Sequence, residues 1–111
     1  MVMKQYNYYV YIVANKERTI YIGVTNNLLR RIQELKQCVF PGFSKLHGCS
    51  ILAYFQYFRD IRTAIAREKQ LKGWRRQKKV DLIELTNKNW RDLSLEIASP
   101  FSLQGRKPTS G

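Results

Sequence analysis

Five side chains could do chemistry together, with a glycine beside them. Tyr9 and Tyr11 lie in "YYVYIV", Tyr21 and Gly23 in "TIYIGV", Arg31 in "NNLLRRIQELK", and Glu68 in "AIAREKQLK". A phenol can give or take a proton, and a guanidinium fork matches two phosphate oxygens at once. A carboxylate in a basic segment can hold a divalent cation. Tyr21 and Arg31 are ten residues apart. That spacing lets a strand present a phenol, and the next helix a guanidinium, to one phosphate.

Each feature also has a plainer reading. With a period of two, Val10 and Ile12 share one strand face, as do Ile20, Ile22 and Val24, while Tyr9, Tyr11, Thr19, Tyr21 and Gly23 take the other. Tyrosines on neighbouring strands pair for sheet stability alone. A glycine inside a strand marks a close approach to the backbone. Glu68 falls within the helical stripe Ile61, Ala64, Ile65 and Leu71, where a carboxylate needs a partner, a metal or the floor of a cleft. An ion pair with Arg31, Arg67 or a neighbouring lysine would satisfy it equally well.

The elements that must position these groups follow from local pattern. Residues 8–13 and 19–24 read as β-branched, aromatic strands joined by "ANKER" as a hairpin. Thr25-Asn26-Asn27 caps a helix through "NNLLRRIQELKQ" that buries Leu28, Ile32 and Leu35. "VFPGFSKLHG" is loop, and "ILAYFQYF" (51–58) reads as a central strand buried on both faces. Asp60 caps a helix over 61–72 that Gly73 stops, and "RRQKKVDLIELT" forms another. "NWRDLS" folds back through Trp90. The expected organisation is one domain over 1–97 and a disordered tail over 98–111.

The 111 residues carry a formal charge of +12, with 44% hydrophobic and 13% aromatic residues, enough apolar content for a packed fold. Residues 61–80 hold Arg62, Arg67, Lys69, Lys72, Arg75, Arg76, Lys78 and Lys79 against the single acid Glu68, which is +7 of the total. Such concentration favours a polyanionic partner over a merely solvated face, and nucleic acid is the commonest one. The apolar stretches are far too short to span a membrane. Cys38, Cys49 and the single His47 do not make a zinc site, and the cysteines read as free thiols of a reducing cytoplasm.

Taken together, Tyr9-Val10-Tyr11, Tyr21-Ile22-Gly23, Arg31 and Glu68 resemble the GIY-YIG nuclease superfamily. The second half of that name stands intact as "YIG"; the first is "YVY", with only its tyrosine matching. The words "YIGVTNNLLRRI", "GFSK", "AIAREKQLKGW" and "NWRDL" extend the likeness over about residues 6–93, in particular to the small stand-alone bacterial members. The resemblance implies a small α/β domain of the α+β kind, a three-stranded antiparallel sheet flanked by helices. It also implies a divalent-metal-dependent endonuclease that hydrolyses DNA phosphodiesters in repair or recombination, with DNA structure mattering more than sequence.

Carried over by position, Tyr11, Tyr21, Arg31 and Glu68 are the implied catalytic residues. Glu68 is the implied ligand for Mg²⁺ or Mn²⁺, and His47 a candidate auxiliary group. Gly23, Arg30, Arg67, Lys69, Lys72, Arg75, Arg76, Lys78 and Lys79 are expected to face the substrate. That substrate is expected to be branched, nicked or single-stranded DNA, with RNA left open and the protein monomeric. One departure bears on activity: many relatives in this branch have a histidine one helical turn after the arginine, where Leu35 stands. The competing expectation is therefore a nucleic-acid-binding module that has the fold without the chemistry.

Overall fold

In the computed structural model the described residues are 7–36 and 51–98. Strands β1 (Tyr8–Ala14) and β2 (Ile20–Thr25) are followed by α1 (Leu28–Lys36), β3 (Ile51–Phe58), α2 (Ile61–Lys72), α3 (Arg76–Thr86) and the short α4 (Ser94–Ala98). The strands form one antiparallel sheet in the order β2-β1-β3. The expected sheet and its flanking helices are present. His47, both cysteines and the tail beyond Ala98 lie outside the described residues.

One expectation is corrected. The run 51–58 is an edge strand, and β1 is the central one. Residues 10–14 are buried on both faces, whereas β3 opens toward its end and leaves Tyr57 47% exposed. Both strands are apolar enough for the central place; pairing order decided between them, and apolar content alone does not encode it.

Two apolar clusters lie on opposite faces of the sheet. Val10, Ile12, Ala14 and Ile22 pack with Ala64 and Leu71 of α2, Ile83 of α3 and Trp90. Tyr11 and Val13 pack with Leu28, Ile32 and Leu35 of α1, and Leu93 and Ile97 close over them. The register between β1 and β3 slips at Ile12/Val13, leaving Ala53 as the extra residue. This bulge reverses the alternation of β3 and turns Leu52 onto the α1 face beside Val13. The tyrosine face is therefore a second core, with α1 as its lid.

Local chemistry fixes the ends of the helices that matter for the site. The Asn27 side chain accepts from the Arg30 amide at 3.0 Å, and Thr25 Oγ1 accepts from the Asn27 amide at 3.0 Å, so the cap sits directly after β2. Asp60 accepts from the Arg62 amide at 2.8 Å and starts α2. β3 ends opposite Tyr8, so α2 begins at that end of the sheet and runs back across it. Of the expected stripe only Ala64 and Leu71 are buried; Ile61 and Ile65 are exposed. The helix is rolled so that Glu68 lies beside its contact line with the sheet.

Gly73 follows the last residue of α2 in an ordinary right-handed conformation, φ −81°, and a Cβ there would meet only contacts of 3.6 Å. The end of α2 therefore does not rest on a left-handed glycine. The extended backbone of Arg75, φ −65° and ψ 156°, turns the chain into α3.

Candidate active site

Tyr11 and Tyr21 share a sheet face, as the alternation requires. Tyr11 pairs with Gly23 and Val13 with Tyr21 across the β1–β2 ladder. Tyr11 is wholly buried and its ring lies across Gly23 toward the outer edge of β2. A Cβ on residue 23 would stand 2.6 Å from Tyr11 Cζ and closer still to the hydroxyl. What approaches this glycine so closely is the phenol of Tyr11 itself. Any side chain at position 23 would occupy the space of that ring.

Across the sheet edge the phenol meets α1. Arg31 Nη1 donates to the Tyr11 hydroxyl oxygen at 3.0 Å. Arg31 lies one turn after the Asn27 cap, which places it on the flank facing the end of the Tyr11 ring. Glu34 Oε1 lies 3.5 Å from Arg31 Nε, an i,i+3 pair that steadies the guanidinium. Sequence reasoning missed Glu34, although its spacing from Arg31 was the signal. Leu35, one turn beyond Arg31, is buried against Tyr11, Leu28 and Ile32 and supplies packing alone.

Glu68 approaches from α2 on the other side of the same edge. Its side chain is 16% exposed and its Oε2 accepts from Lys72 Nζ at 2.9 Å. The lysine pairing considered from sequence is thus present, with Lys72 as the partner. Glu68 is also close enough to act on Tyr11. Burial is the chief cause that pushes the Tyr11 phenol above its ordinary range; Arg31 opposes this through charge and its hydrogen bond, while Tyr21 and Glu68 add to the rise. Tyr11, Arg31, Tyr21 and Glu68 therefore share one electrostatic neighbourhood, built from β1, α1, β2 and α2.

The basic residues divide into groups. Arg67 turns toward β3: its Nε lies 3.3 Å from Gln56 Oε1, its Nη1 2.7 Å from Gln70 Oε1, and its guanidinium is 5.2 Å from the Trp74 ring centroid. Lys78 covers the same ring at 4.5 Å. Lys72 stands by Glu68, Arg76 and Lys79 border a cleft with the β1–β2 turn, and Lys69 and Arg75 are exposed. Arg30 is largely exposed, 3.9 Å from Glu34. Asn87 is buried with its amide committed to Ala53 O, Arg91 O and the Arg91 amide, so its role is structural.

Among the described residues no three His, Cys, Asp or Glu side chains form a metal cluster. A single carboxylate with room for water and substrate oxygens is nonetheless a donor set that suits Mg²⁺. Glu68 fits that description, provided Lys72 gives way. No helix among the described residues is long and apolar enough to cross a membrane.

A three-stranded antiparallel sheet whose edge gathers two tyrosines, an arginine and a helix-borne glutamate defines a small α+β catalytic domain of one recognisable kind. Residues 7–81 match the family model of the GIY-YIG catalytic domain, and the chain belongs to that family. It is 36% identical over 75 residues to a UPF0213 protein of Clostridium perfringens, covering 68% of this chain and 81% of that one. A UPF0213 protein of Staphylococcus haemolyticus is 32% identical over 77 residues, covering 69% and 94%. The solution NMR structure of a UPF0213 protein from Bacillus halodurans superposes with a TM-score of 0.53 at 27% identity, over 78% of this chain and 92% of that one. These relatives place the chain in the small single-domain branch of the superfamily. A GIY-YIG domain implies nuclease-type activity on nucleic acid.

Two outcomes follow from the position of Tyr11. Gly23→Ala forces a buried ring to move; the expected loss is about 1–3 kcal/mol of stability in denaturant unfolding, as for other overpacked core sites. Unchanged stability would mean that the ring has somewhere else to go. The second concerns pH. Because the folded protein raises the Tyr11 pKa, the native state keeps a proton that the unfolded chain has lost. The associated stability is present below the ordinary phenol range and disappears as pH rises through the folded value. Phenolate absorbance should show a late-titrating step that is absent in Tyr11→Phe, and that variant should lose less stability at alkaline pH.

Proposed function

We propose that this protein is a divalent-metal-dependent endonuclease hydrolysing DNA phosphodiester bonds, selecting its substrate by structure rather than sequence, in DNA repair or recombination. The observation that carries this reading is the hydrogen bond between Arg31 and Tyr11 at the sheet edge, with Glu68 beside them. In this reading Arg31 stabilises charge on the non-bridging oxygens of a phosphate. Because Arg31 can only donate, the Tyr11 oxygen is the acceptor, and its own O–H remains able to donate elsewhere. A water attacks phosphorus and passes its proton to Tyr11 in its phenolate form as the bond to the 3′ oxygen breaks. Tyr21, 38% exposed on the same face, lines the approach to that phosphate. Glu68 would hold Mg²⁺ or Mn²⁺, and the bound cation would neutralise the phosphate and ease departure of the 3′ oxygen.

Burial keeps the Tyr11 phenolate scarce at neutral pH, so in this mechanism the rate rises with pH through the neutral range. A second reading has its own support. Lys72 already neutralises Glu68, and Leu35 offers no proton chemistry, as in a domain that binds nucleic acid without cutting it.

The deciding experiment is cleavage of supercoiled plasmid and a branched oligonucleotide, with Mg²⁺ or Mn²⁺ against EDTA. Metal-dependent cleavage that rises with pH, and falls at least a hundredfold in Glu68→Ala and Tyr11→Phe, is expected on typical catalytic-group magnitudes. Salt-sensitive binding with no cleavage, unaffected by Glu68→Ala, would instead establish the binding module.

A further inference from the structure

A cleft of about 440 Å³ lies between the β1–β2 turn and the start of α3, lined by Glu17, Arg18, Thr19, Ile20, Arg76 and Lys79. Three cations from two distant segments of the chain face one acid there. Arg18 is fixed by more than exposure to solvent. Its backbone is left-handed at φ 62°, its amide donates to Asn15 O at 2.9 Å, and its guanidinium lies 4.5 Å from the centroid of the Trp90 ring. Trp90 is anchored in turn, its indole N–H donating to Glu84 Oε2 at 2.6 Å. A guanidinium held over an aromatic ring keeps N–H donors to offer an anion. A pre-organised arginine loses little entropy on gripping an anion.

The cleft is also in line with the active site. α2 runs from the Tyr8 end of the sheet past Glu68 and Lys72, and delivers Arg76 to the β1–β2 turn. From Gly23 to Thr19 along β2 is roughly 13 Å at ordinary strand rise. That distance exceeds the spacing of neighbouring phosphates, so the turn and the active site would hold different phosphates of one strand.

We propose that the cleft bordered by Arg18, Arg76 and Lys79 is a second phosphodiester-binding subsite, gripping the nucleic-acid backbone a short way along the strand from the phosphate at Arg31 and Glu68. The proposal rests on the nucleic-acid reading given under Proposed function and names a path for the strand. The backbone follows the outer edge of β2, from the Arg31–Tyr11 pair past Lys72 to the turn. The subsite carries no base-reading geometry. It contributes register and affinity through charge, with sequence left unread.

The test uses the full chain, a short labelled duplex of mixed sequence, and EDTA throughout, so that binding is measured apart from cleavage. Affinity is followed against salt for wild type, Arg76→Gln, Lys79→Gln, the double variant, and Lys88→Gln as an exposed control of equal charge change that does not line the cleft. Each cleft substitution is expected to lower the salt-dependence slope by about 1 and weaken binding about fivefold near physiological salt. Arg76→Lys should restore most of the loss, which separates lost charge from lost folding. If Arg76→Gln and Lys79→Gln bind no worse than Lys88→Gln, the subsite is overturned. Parallel cleavage assays keep the two claims apart. Cleavage with cleft-independent binding removes only the subsite, whereas cleft-dependent binding without cleavage removes only the nuclease reading.

Discussion

The site depends on one contact that the sheet makes possible by omission. Gly23 has no side chain, and the Tyr11 ring lies in the space a Cβ would fill. From there its hydroxyl reaches beyond the sheet to Arg31. A strand residue normally projects straight from its own face. Here the glycine lets a central-strand phenol lean across its neighbour to the edge, where two helices on opposite faces can both reach it. The "YIG" signature is thus a steric requirement as well as a chemical one.

The rest of the architecture can be followed outward from that edge. α1 must cover the tyrosine face closely enough for Arg31 to donate to the phenol, and the Asn27 cap directly after β2 fixes where its first turn starts. The Ala53 bulge turns Leu52 onto the same face and completes the packing around Tyr11 and Val13. On the opposite face small Ala64 and large Leu71 seat α2 in a roll that puts Glu68 beside the edge. Burying Tyr11 has an electrostatic consequence. Its phenol is held protonated against the pull of Arg31, and that balance sets the proposed pH dependence of the chemistry.

The sequence disclosed the elements well wherever pattern and chemistry agreed. β3 and α2 occupy the expected ranges, and Asp60 and Asn27 cap as expected, because alternation, helical spacing and capping are local signals. Pairing order was not legible. β1 and β3 are both apolar, and which becomes central depends on contacts distant in sequence. The grouping of Tyr11, Tyr21, Arg31 and Glu68 came from motif order and spacing; in the fold Arg31 donates to Tyr11, and Tyr21 and Glu68 lie near enough to act on its phenol. The roll of α2 was invisible: Ile61 and Ile65 belong to a helical stripe yet face outward, since packing against strands distant in sequence chooses the contact line. Arg67 likewise sits in the basic run but turns toward Gln56 and Trp74. Arg18 attracted no notice from sequence, because its partner Trp90 lies seventy-two positions away, at the far end of the chain's described portion.

The central claim is that Tyr11, Arg31 and Glu68 form one centre at the edge of β2, with Glu68 the proposed holder of a divalent cation. Paramagnetic broadening by Mn²⁺, followed by NMR on the full chain, tests it most directly, since relaxation enhancement falls steeply with distance and needs no turnover. Substoichiometric Mn²⁺ should broaden the Glu68, Tyr11 and Arg31 side-chain signals first, and Glu68→Gln should abolish that selectivity. Broadening that begins elsewhere, or persists unchanged in Glu68→Gln, would contradict the account.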